Sequence, residues 1–232
     1  MWFSDTDIEL VRGGSELRRR LLDFVCIQLH PGYRSALRNY ERALRSRNLL
    51  LRAPVPVWKE IRAFDEPLLA AARVLSEARA TLVTALRPMA QIAQTAISGA
   101  REKLDLQYAP GMEGDFAAAL AAARPEDTRL RQTTRGPHRD DLTLRLSEMP
   151  ANLGSEGQQR TLVLALRLAA ARLLEAHFGV PPLLLLDDIF GELDAARRSA
   201  LLTHLPENAQ RIITTTQREW LPENLRVHWI AL

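Results

Sequence analysis

Residues 181–188 read Pro-Pro-Leu-Leu-Leu-Leu-Asp-Asp, and no other stretch narrows the possible folds of this 232-residue chain as much. An unbroken apolar run of strand length suits a strand buried on both faces, the usual situation in a parallel sheet. Asp187 and Asp188 then stand at its carboxyl end, where open α/β sheets place their ligands. One acid at a strand tip commonly caps the next helix, whereas two in succession after a wholly apolar strand point to Mg2+ and water chemistry on a phosphate. Upstream, Gly154-Ser155-Glu156-Gly157-Gln158-Gln159-Arg160 opens a helix-patterned segment. The Ser155 hydroxyl and the Gly157 N–H make either a donor cluster for an anion or an ordinary helix cap, with Ser155 bonding the N–H near Gln158. Downstream, Gly191-Glu192-Leu193-Asp194 turns the chain into a further helix.

Charge and composition set the outer limits. The apolar share of 47% excludes a disordered chain and leaves room for one large domain or two small ones. No segment approaches the roughly 18 to 20 uninterrupted apolar residues of a membrane span, so a cytoplasmic protein is expected. The single Cys26 lies in an apolar run, which allows a buried thiol and no disulfide framework within the chain. Net charge is +3, and Lys59 and Lys103 are the only lysines beside the many arginines. Arginine suits bidentate phosphate contacts, and an arginine-rich codon usage explains the bias equally well. The lysines decide one point. A phosphate-cradling loop needs Gly-Lys before Ser or Thr, and here Lys59 follows Trp58 while Lys103 follows Glu102.

Periodicity sketches the rest. Ser4-Asp5-Thr6-Asp7 reads as a helix cap, and Gly13-Gly14-Ser15 opens a helix over 16–29 with Leu17, Leu21, Phe24, Val25 and Gln28 on one face. Arg18, Arg19 and Arg20 cluster in its first turn, against the helix dipole, so anionic partners are expected: Asp23 or another acid, or DNA or nucleotide. Tyr33, Leu37, Tyr40, Leu44 and Leu51 form a core stripe with Arg34, Arg38, Arg42, Arg45 and Arg52 off it, a solvated face or a duplex-backbone contact. A helix over 58–86, ended or kinked by Pro88, and another to residue 104 predict an antiparallel pair projecting as an arm. Strands are expected over 104–108, 142–146, 211–216 and 225–232, a short helix from Asp115 to a stop near Pro125, and an extended segment over 129–134. In Gly136-Pro137-His138-Arg139-Asp140-Asp141, His138 is either a loop histidine satisfied by Asp140 or, with Arg135 and Arg139, part of a nucleotide or DNA border.

The order of these motifs resembles the signature motif, Walker B strand and D-loop of the ABC-type ATPase heads of SMC-like and DNA-repair proteins. Within that group the sequence is similar to the RecF family, through Arg135–Leu142, Gly154–Thr161, Leu185-Leu186-Asp187-Asp188 and Thr214-Thr215-Thr216. The resemblance covers essentially the whole chain and the later two thirds of such a protein. It implies an α/β fold, a partial ABC-type head with an inserted helical arm, divided into an arm and linking segment (1–132) and the head portion (133–232). It implies ATP and Mg2+ as cofactors, with Asp187 on the metal, Asp188 and Thr216 in catalysis, and Ser155, Gly157, Gln158 and Asp194 at the nucleotide of a second protomer. Glu192 would join Asp194 at that interface, and Thr215 shares with Thr216 the reach toward the γ-phosphate.

Implied partners are DNA, RecR, a second copy in an ATP-dependent homodimer, and a separate polypeptide carrying the Walker A lobe, since no such motif occurs in this sequence. A truncated or split reading frame is the other expectation from that gap, and a strand at Asp187 without parallel neighbours is its structural corollary. DNA contacts fall to Arg19, Arg20, Arg38, Arg42, Arg45, Arg135 and Arg139. The alternative is a non-catalytic DNA-binding or interaction module derived from such a head. A different SMC-like head is disfavoured by an arm of about a hundred residues without a long heptad pattern.

Overall fold

The computed structural model describes residues 1–99, 102–191, 193–216 and 228. In chain order, β1 (Trp2–Ser4) and a 3-10 turn lead to α1 (Glu9–Arg12), α2 (Ser15–Leu29) and α3 (Tyr33–Leu51). There follow α4 (Trp58–Ile61), α5 (Asp65–Ser98), β2 (Leu104–Ala109), α6 (Phe116–Ala122) and α7 (Arg124–Leu130). The remainder is β3 (Asp141–Leu146), β4 (Met149–Pro150), α8 (Glu156–Phe178), β5 (Leu184–Asp187), α9 (Ala195–His204) and β6 (Arg211–Thr214). The strand expected over 225–232 falls outside the described residues apart from His228, as does Glu192.

Among the described residues two three-stranded sheets form. One is parallel in the order β1-β5-β6, and the other is antiparallel in the order β2-β3-β4. The Asp187 strand therefore does not lack parallel neighbours: it is the central strand, with Phe3 opposite Leu186 on one side and Ile213 on the other. The pairing of β1 with β5 joins residues about 180 positions apart, a distance over which local sequence pattern is silent. Nor is the leucine run buried on both faces. Leu184 and Leu186 are fully enclosed, while Leu183 is 43% and Leu185 36% exposed.

The buried face of this sheet lies on α8, whose residues 161–171 are enclosed almost all round. One continuous core extends from Phe3, Leu184 and Leu186 through Leu162 and Leu166 to Leu68, Leu75 and Tyr33 in the helical layer. Pro88 does not end a helix. It sits inside the single 34-residue α5, and the described residues of 58–104 hold no second long helix after it. A proline removes one N–H, but burial of Leu82, Leu86, Ala90 and Ala93 on either side of it holds the helix together. The antiparallel partner of α5 is α3: Arg47 meets Asp65 at one end and Arg79 meets Tyr33 at the other.

Two further expectations shift. The buried face of α2 is Leu21, Leu22, Val25 and Cys26, and Phe24 is 45% exposed. Pro125 begins α7 rather than ending α6, as a residue without an N–H does well in a first helical turn, so Arg129 and Leu130 are helical and not extended.

Candidate functional site

At the tip of the parallel sheet, Asp187 and Asp188 are both exposed. Asp187 faces the same side as Leu185 and pairs in register with Ser4 and Thr214. Thr214 Oγ1 donates to Asp187 Oδ1 at 2.7 Å and accepts from the Asp188 N–H at 3.0 Å. Asp188 takes a left-handed backbone, φ 48°, uncommon outside glycine and concentrated at functional sites. That turn lets its carboxylate curl back, with Oδ1 3.8 Å from where a side chain would begin at Gly191. Thr216 is exposed two residues beyond β6. Sequence reading placed catalytic threonines at 215 and 216; the hydroxyl joining the two aspartates belongs to Thr214, detectable only once the β5–β6 register is known.

The second cluster surrounds the start of α8. Ser155 is the N-cap: its Oγ accepts from Gln158 N–H, and the Gln158 side-chain oxygen accepts from Ser155 N–H at 2.7 Å. Gln158 also donates to Glu102 at 3.2 Å, which turns its amide toward the protein rather than outward. Gln159, buried, donates to the carbonyls of Asn152 and Gly154 and accepts from Arg12 Nε at 2.7 Å, so α1 fixes the loop that enters the helix. Asp194 caps α9 by accepting from Arg197 N–H at 2.8 Å. Arg197 then reaches across, with Nη1 3.1 Å from Asp194 Oδ2 and 2.9 Å from where a Cβ would stand on Gly157. A glycine at 157 gives the guanidinium its place, and Arg197 thereby joins the start of α9 to the start of α8. No sequence signal marks Arg197 for this, because the contact is between separate elements.

The Gly136–Asp141 loop is organised differently. His138 is not satisfied by Asp140. Its Nε2 donates to the Thr133 carbonyl at 2.9 Å, which leaves Nδ1 to accept from Tyr40 Oη at 2.6 Å. Burial pushes the imidazole down to about 4. Asp140 is fully enclosed and accepts from Arg79, Tyr108 and the Gly111 N–H. Arg79 continues to Asp23, Tyr33 and the Pro137 carbonyl, so this loop is pinned to α2, α3 and α5.

The first-turn arginines of α2 find separate partners, none of them Asp23. Arg18 forks onto Asp141 at 2.7 and 3.0 Å, Arg19 donates to Ser15 and to the Asp140 carbonyl, and Arg20 pairs with Glu16. On α3, Arg34, Arg38 and Arg42 are exposed, with no ion-pair partner among the described residues, and Arg45 lies 3.7 Å from Glu41. Arg135 and Arg139 are exposed at the loop surface.

A metal-bound nucleotide fits the chemistry at the strand tip. Among the described residues no group of three or more ligating side chains forms a dedicated cage. Mg2+ commonly needs only one or two carboxylates when phosphates and water complete its shell. Asp187 offers one oxygen engaged by Thr214 and one not so engaged.

No protein-family profile matches the chain. Among curated proteins, the DNA replication and repair protein RecF of Gloeobacter violaceus is 40% identical over 229 residues, and that of Synechococcus sp. (strain JA-3-3Ab) 41% over 232; each match covers 92% of this chain and 61% of the relative. Among solved structures, the recombination mediator protein RecF-ATP of the RecFOR pathway superposes with a TM-score of 0.82 at 28% identity, over 95% of this chain and 62% of that one. RecF-ATPrS gives 0.83 at 27%. The Smc head domain of Pyrococcus furiosus, at 16% identity and a TM-score of 0.52, shares the fold. The chain is thus part of an ABC-type ATPase head. Within that class its similarity is to RecF proteins, and it spans 61% of the length of the curated relatives quoted.

Proposed function

We propose that this chain acts in bacterial recombinational DNA repair and replication restart, as the signature and Walker B portion of a RecF-type ATPase with its helical arm. The observation that supports this most is the Asp187–Asp188 pair, exposed at a parallel strand tip and bridged by Thr214, in a chain 40% identical to RecF. Asp187 holds Mg2+, which when bound neutralises phosphate charge; Asp188 orients or deprotonates the attacking water. Aspartate is one methylene shorter than the glutamate common at the second place, so slow turnover is expected. Ser155, Gly157 and Asp194 serve the nucleotide of a second copy.

The phosphate cradle comes from an α/β complement bearing a Gly-Lys-Ser/Thr loop. Trp2, Leu185 and Ile212 lie side by side in register on the open face of the parallel sheet, 56%, 36% and 50% exposed, and Leu183 extends the row. Parallel sheets are normally covered on both faces, so this row is the surface such a complement covers. DNA is held by the exposed arginines Arg34, Arg38 and Arg42 of α3 together with Arg135 and Arg139, and RecR and a second copy are the protein partners.

The test is ATP turnover of the chain mixed with the part of the Gloeobacter violaceus protein outside the matched segment. Asp188→Asn should abolish hydrolysis and leave ATP binding intact. Equal turnover in the variant would overturn the role given to Asp188, and no turnover above that of the complement alone would favour the second reading, a non-catalytic DNA-binding or interaction module, for which the absence of a Gly-Lys-Ser/Thr sequence speaks.

A further inference from the structure

Thr214 has no role in the reading above, yet it makes two of the hydrogen bonds that shape the strand-tip site. The Asp188 N–H can only donate, so Thr214 Oγ1 is the acceptor in that contact, at 3.0 Å. The hydroxyl has one proton, and its direction is thereby set toward Asp187 Oδ1, at 2.7 Å. One oxygen of Asp187 is thus engaged and the other is left for a ligand. The same hydroxyl, with the Thr214 carbonyl at 3.3 Å, holds Asp188 in its left-handed conformation.

We infer that Thr214 is the residue that sets the cation selectivity of this site, by making Asp187 a one-oxygen ligand. A carboxylate presenting a single oxygen suits a small cation with strict octahedral geometry, such as Mg2+ or Mn2+. Ca2+ takes carboxylates through one oxygen or both, at longer distances, and the hydrogen bond from the hydroxyl to Oδ1 competes with the two-oxygen mode. Partners that orient a ligating carboxylate typically change metal affinity by about 10- to 100-fold. Valine at 214 keeps the shape and strand preference of threonine at an exposed position, so its effect reports the hydroxyl alone. The inference rests on the reading of Asp187 as the cation-holding carboxylate.

The experiment titrates the 232-residue chain with MgCl2 and, separately, CaCl2, without nucleotide, following the amide signals of residues 187, 188 and 214 by NMR. Thr214→Val should move the Mg2+ to Ca2+ preference about tenfold toward Ca2+. Thr214→Ser, which keeps the hydroxyl, should retain the original preference, and Asp187→Asn should remove the response to both ions. An unchanged preference in Thr214→Val overturns the inference and leaves Asp187 as the cation ligand. An unchanged response in Asp187→Asn, or no response in the unsubstituted chain, overturns the reading of Asp187 and this inference with it. A purely structural Thr214 would alter the melting temperature without altering the ratio of the two ions.

Discussion

Asp140 and Asp187 both belong to strings of adjacent aspartates that resemble family motifs, and the fold treats them in opposite ways. Asp140 is wholly buried and accepts from a guanidinium, a phenol and a backbone amide. Asp187 stands in solvent with Thr214 on one oxygen. A buried charge with saturated contacts fixes geometry, whereas an exposed one beside a strained neighbour is left for a ligand. The Gly-Pro-His-Arg-Asp-Asp loop is therefore the tie between α2, α3 and α5, and the strand tip is the place to which the proposal assigns the chemistry.

The sharpest way to break this contrast is to remove each carboxylate. Asp140→Ala leaves Arg79 enclosed with one of its two carboxylate partners and should cost about 3–5 kcal/mol in urea unfolding. Asp187→Ala should change stability by no more than about 0.5 kcal/mol. Similar losses at the two positions would end the distinction. The two faces of β5 supply a second pair. Leu184→Ala, fully buried, should cost about 2–5 kcal/mol. Leu185→Ala, on the open row, should cost less than about 1 kcal/mol in the chain alone.

His138 gives a pH-dependent version. Its folded-state value lies near 4, lowered first by burial and further by Arg139 and Arg19, with Asp140 and the Thr133 carbonyl acting the other way. The unfolded imidazole binds its proton first as pH falls, so stability is complete above about 6.5 and declines toward 4. The loss should reach about 2–3 kcal/mol, and His138→Asn should flatten that part of the profile. Replacing Asp187 should leave the profile between pH 4 and 6.5 with the same slope, the smallest effect expected here.

Much of the local structure was legible beforehand. The caps at Ser4, Ser155 and Asp194 and the helices they open follow from side chains competing for the first free N–H groups. The Asp187-Asp188 strand end was legible for the same local reason, an apolar run that stops at charge. What escaped depends on partners distant in sequence: Trp2–Ser4 beside the leucine strand, Tyr40 on His138, Arg197 over Gly157, and Thr214 between the two aspartates. Pro88 escaped for a different reason, because burial on both sides of it outweighs a local preference. Alternating exposure along β5 could not be inferred from four identical leucines.

Equilibrium binding of ATP with Mg2+ tests the central claim, that the paired aspartates face a triphosphate whose cradle this sequence does not contain. The expected result is no micromolar binding by the 232-residue chain alone, and binding that appears on adding the complementary RecF segment and is lost again in Asp187→Ala. Micromolar binding by the chain alone, or binding in the mixture that is indifferent to Asp187→Ala, contradicts it.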